Sequence, residues 1–171
     1  RNFAEIQKLH GWAEENGKKL FLLANSGCLN YCSAHNFHDN LVAHEAESDP
    51  MDCAWQFRGV CWEYYGKPEN RRRILADSTW VRPEEIDRYA GLVDGIKVAT
   101  RTNPHFGTIV KAYAERSFNG NPLSLCEPDF SGFVHLDNRK FPDDWHAVAK
   151  HPESPAYQDL LEQITVPGKQ Q

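Results

Sequence analysis

Four of the five cysteines lie between Cys28 and Cys61, with 3, 20 and 7 residues between successive members. The stretch that carries them, residues 27–70, mixes polar, aromatic and cysteine residues with no helix or strand period. A loop of that length inside a compact domain is functional or is tied down by something besides its own backbone. An odd number of cysteines cannot pair completely within one chain, and clustered thiols in a reducing compartment bind metal or do redox work. The opening residues Arg1-Asn2-Phe3-Ala4-Glu5 lack the shape of a signal peptide, so a cytoplasmic setting is expected. Position 1 is not methionine, and we expect further residues upstream.

The segments around this stretch read as α/β. Residues 3–16 form an amphipathic helix pattern, with Phe3, Ile6, Leu9 and Ala13 near one face. Asn16-Gly17 stops it, because glycine accepts the left-handed conformation. Residues 19–24 are nearly continuously apolar, as in a strand buried on both faces of a parallel sheet. Residues 73–77 and 95–99 are two further expected strands. Pro83-Glu84-Glu85 starts a helix to about Ala90, and Asn103-Pro104 opens another to about Phe118, ended by Asn119-Gly120-Asn121-Pro122. Ser154-Pro155 begins a last short helix.

This alternation predicts about three parallel strands with helices outside and a long Cys-rich loop at 27–70, a partial (β/α) barrel of the TIM type over residues 1–126. Residues 127–171 are expected to be an irregular extension with a short helix. Three strands cannot close a barrel and would leave open edges, so the chain is expected to self-associate or to need an upstream half of the barrel.

The formal charge of −5, from 24 acidic against 19 basic side chains, excludes binding dominated by nucleic-acid phosphates. No apolar run approaches the ~20 residues of a membrane helix. The basic cluster Arg71-Arg72-Arg73, with Lys67 before it, reads as a solvated loop or a local anion contact. No G-x-S-x-G elbow, H-E-x-x-H helix, P-loop or G-x-G-x-x-G turn is present.

The chemistry-bearing constellation is therefore Cys28, Cys32, Cys53 and Cys61. Thiolates are soft, charged donors, and four of them suffice for a tetrahedral zinc or a 4Fe–4S cluster. We favour iron–sulfur over zinc, the competing reading being that some are small buried hydrophobes. His38 and His44 lie nearby. His35, three residues beyond Cys32, is the imidazole best placed to meet substrate. Lys97 and Arg101, along and just past an expected strand, suit an anionic substrate group, or else an ion pair.

Asn25-Ser26-Gly27-Cys28-Leu29-Asn30-Tyr31-Cys32, with His35 after it, resembles the cysteine-bearing loop of the collagenase-like peptidase family of unassigned mechanism, number thirty-two of the U group. Val81-Arg82-Pro83-Glu84-Glu85-Ile86-Asp87-Arg88-Tyr89, Gly95-Ile96-Lys97-Val98-Ala99-Thr100-Arg101, and Ala112-Tyr113 through Gly120-Asn121 are similar, in order, to its later segments. Thr100 stands where that family has glycine, and the cysteine gaps are shorter than in its iron–sulfur members. The resemblance implies a TIM-like barrel and a 4Fe–4S cluster on Cys28, Cys32, Cys53 and Cys61. It places Lys97 and Arg101 along the site, and the implied activity is hydroxylation of RNA or of a small molecule, or peptide hydrolysis. A module with a purely structural zinc is the alternative.

Overall fold

The computed structural model describes residues 2–47, 59–100 and 103–164. Helix α1 spans Phe3–Glu15 and is capped by Asn2, whose side-chain oxygen accepts the Glu5 N–H at 3.4 Å. Gly17, at φ +61°, turns the chain into β1, Phe21–Leu23. Phe3, Ile6 and Ala13 face the core as expected, whereas Leu9 is turned outward with Trp12.

The cysteine-rich stretch is more regular than its composition implies. It contains α2, His35–Glu47, and α3, Gly59–Gly66. Next, a 3-10 helix, Pro68–Arg73, runs into α4, Ile74–Asp77, where a strand was expected. The helical form wins because Arg73 reaches Asp77 one turn on at 2.9 Å, and the Ser78 hydroxyl donates to the Ile74 carbonyl at 2.5 Å. Both partners lie four residues apart, a spacing that only a helix brings together.

After α4 the chain returns antiparallel to residues 24–30. The Thr79 N–H donates to Cys28 O at 2.9 Å and the Val81 N–H to Ala24 O at 2.7 Å. A 3-10 helix, Pro83–Tyr89, leads to β2, Gly95–Lys97, which pairs with β1 in parallel, Leu22 opposite Ile96. Two strands, not three, are therefore present among the described residues. Helix α5, Phe106–Glu115, ends on a left-handed Arg116, ahead of the expected glycine stop.

Beyond it come the 3-10 helices Pro122–Leu125 and Asn138–Lys140, then α6, Trp145–Val148, and α7, Pro155–Glu162. Little of this segment is regular, yet it supplies Phe130, Val134, Leu136, Trp145, Tyr157 and Leu160 to a core shared with Tyr65 and Ile74. Each such side chain, fully buried, contributes about 1.5–3 kcal/mol. A second core, under the sheet, gathers Leu22, Ala24, Val81, Ile109 and Leu125. No helix among the described residues is long and apolar enough to cross a membrane.

Candidate functional site

The cysteine loop leaves the carboxyl end of β1 through a polar junction. Asn25 is completely buried, and its side chain bonds the backbone of two other segments. Its amide donates to Ala99 O at 2.6 Å and Leu125 O at 2.9 Å, while its oxygen accepts the Ala99 N–H at 2.7 Å. One side chain thus ties β1 to the chain beyond β2 and to the chain before Glu127. Thr79 donates its hydroxyl toward Ser26, and the Asn30 N–H donates to Asp77 O at 2.6 Å. Gly27 has no room for a side chain: a Cβ there would lie 2.7 Å from the Phe130 ring. Cys28 is accordingly held on both sides.

From there the loop turns through Tyr31, a non-glycine residue at φ +57° with a fully exposed side chain, to Cys32. Helix α3 brings Cys61 to the same place. Its thiol is pushed up to about 11, first by burial and then by the nearby Cys28 thiol, with Cys32 contributing less. Three of the sequence-expected ligands, Cys28, Cys32 and Cys61, thus lie within electrostatic reach of one another. Cys53 and Arg101 lie outside the described residues. Cys126 is packed in the core, its thiol pushed up by burial and then by Asp129.

The histidines divide. His35 is exposed on α2, with Nε2 3.2 Å from Asp39. The ring of His38 instead lies beside Gly59, within 4 Å of where a Cβ would stand, as does Cys61 Sγ. Gly59 itself sits at φ +60°. His38 is thus the imidazole that the fold brings to the side of Cys61, and the signal was available: three residues beyond His35 is the same helix face. His44 is exposed toward the end of α2. Lys97 is exposed at the carboxyl end of β2, on the side from which the cysteine loop departs.

Beside Cys32 runs an open groove of about 480 Å³, lined by Tyr31, Val60, Tyr64, Arg73 and Asp77 among others. The Tyr64 hydroxyl donates to Asp77 at 2.8 Å, and burial, then this bond, hold the phenol above its ordinary range. Arg73 belongs to the basic cluster read from the sequence, and here its guanidinium faces Asp77 within the groove wall.

Thiolates as a class are soft donors, chemically suited to zinc or to iron–sulfur. Burial keeps Cys61 a neutral thiol unless a cation compensates its charge. No three His, Cys, Asp or Glu side chains among the described residues are gathered tightly enough to hold a metal ion.

The chain is similar to a protein of Methanocaldococcus jannaschii named as an uncharacterized protease, at 29% identity over 147 residues. That match covers 81% of this chain and 41% of the relative, so the chain spans about two fifths of the relative's length. No family model matches the chain, and no solved structure matches it.

Proposed function

We propose that this chain is the cysteine-bearing part of a peptidase-like barrel enzyme, with its working centre at the carboxyl end of β1. The observation that carries this reading is an open groove lined by Cys32, with Cys28 and Cys32 both within electrostatic range of the buried Cys61. The named protease similar over four fifths of the chain supports the peptidase-like part.

In this reading Cys28, Cys32, Cys53 and Cys61 hold a 4Fe–4S cluster, or a zinc in the alternative. Bound there, the group would supply electron transfer or, as zinc, a structural staple. The chain's own residues do the rest. Lys97 and Arg101 attract an anionic substrate group, His35 meets substrate at the outer rim, and the groove along Tyr31 and Tyr64 orients it. Water has free access to this groove.

Anaerobic purification followed by iron, sulfide and zinc analysis tests the centre. Iron with matching sulfide is expected, lost in Cys28→Ser and Cys32→Ser and kept in Cys126→Ser. One zinc in colourless protein selects the alternative. Retained metal in both loop variants, with loss in Cys126→Ser, would overturn the ligand set. Cleavage of an unstructured peptide library by the full-length protein, absent in the Cys32→Ser variant, tests the peptidase-like activity.

A further inference from the structure

Bounded on one side by Asn30 and Ser78 is a partly open cavity of about 140 Å³. Its wall includes the aromatic rings of Phe3, Trp80, Tyr89 and Trp145, together with Glu85 and His146. In volume alone it could take a body of about one ring, ~150 Å³, although its lining is mixed polar and aromatic.

The polar end is unusual. The Glu85 side chain is 10% exposed, and Oε1 accepts the His146 backbone N–H at 2.8 Å. His146 Nδ1 stands 3.9 Å from the same oxygen, sequestered and without a hydrogen-bond partner. Burial, above all, holds the Glu85 carboxyl above and the His146 imidazole below their ordinary ranges. The one cation buried nearby is committed elsewhere. Arg82 donates to Asn138 Oδ1 at 2.9 Å, lies 3.5 Å from Glu84, and stacks 4.4 Å above the Phe141 ring. Lys150, which lines the cavity, and Arg88, which does not, sit over the Phe3 ring at 5.9 and 6.0 Å. So an acid without a salt-bridging lysine or arginine among the described residues lines a chamber that also carries four aromatic rings and the Lys150 side chain.

We infer that this cavity is a binding site for an organic ammonium ion with a body about the size of one ring. The ammonium would donate to Glu85 and to the free Nδ1 of neutral His146, while the aromatic faces receive its charge and its carbon skeleton. A carboxylate ligand fits less well, because it would meet the Glu85 carboxyl in the wall. The site shares Asn30 and Ala76 with the cysteine groove, and it stands whether or not that centre holds metal.

The test uses the 171-residue chain. Benzylammonium is titrated while the indole N–H signals of Trp80 and Trp145 are followed by nitrogen-correlated NMR. Saturable shifts of these two signals are expected, with Trp12 unmoved. Affinity should fall at least tenfold for neutral benzyl alcohol, for benzoate, and in Glu85→Gln. Ala149→Leu, which fills the chamber and leaves Glu85 in place, should also abolish the shifts. That variant keeps the test decisive if Glu85→Gln does not fold. Equal binding of benzyl alcohol, tighter binding of benzoate, or unchanged affinity in Ala149→Leu would each overturn the inference, as would a cavity that admits water alone.

Discussion

Asn25 is a buried amide whose donor and acceptor capacity is spent on three backbone groups from two other segments. Asn25→Asp keeps the shape and the acceptor for the Ala99 N–H, but faces two carbonyl oxygens with a carboxylate. An uncompensated buried charge costs about 3–5 kcal/mol, and urea unfolding near neutral pH should register that loss. The introduced acid would have a folded pKa above its ordinary value, so the deficit should shrink at acid pH, where it is protonated. Glu85 obeys the same sign. Its carboxyl is held above the ordinary 4.5, chiefly by burial, so the folded chain binds that proton more tightly than the unfolded chain does. The stability it contributes is present below the ordinary value and is lost as pH rises through the folded one. Glu85→Gln should therefore raise the melting temperature more around neutrality than at about pH 4. An equal shift at both would remove burial as the cause.

At the scale of elements, α4 and α7 were read with unequal success, for identifiable reasons. Residues 73–77 are too few for a period of two to be told from 3.6, and β propensity at Ile74 pointed the wrong way. What decides the local structure is the Arg73–Asp77 pair together with Ser78 closing the last turn. Helix α7 announced itself, since Ser154 before Pro155 is a start signal independent of packing. In the structure the Ser154 hydroxyl oxygen accepts the Tyr157 N–H at 3.3 Å. Because α7 delivers Tyr157 and Leu160 to the core, its cap should matter to the whole chain. Ser154→Ala is expected to cost about 1 kcal/mol, which is a drop in melting temperature of roughly 2–4 °C for a chain this long. Calorimetry measures it, and an unchanged midpoint would mean that α7 frays before the core melts.

At the scale of the molecule, the surface carries apolar pairs at helical spacing. Leu9 and Trp12 on α1 are 51% and 55% exposed, and Phe106 and Val110 on α5 are 63% and 49% exposed. Solvent is a poor neighbour for such pairs, and β2 has no further strand beside it among the described residues. Light scattering of the isolated chain should give a mass above that of one copy, falling in Trp12→Glu. A monomer at high concentration would count against covered faces. The helix–turn–strand opening, the β2 position and the caps at Gly17 and Ser154 were legible in the sequence, because each shows in the residue pattern within a few positions of chain. The tertiary structure alone decided that His38 rather than His35 lies on the side of Cys61, and that Glu85 and His146 share a cavity. Those pairings join segments up to 61 positions apart, and no local periodicity encodes which side chains meet once two cores close around them.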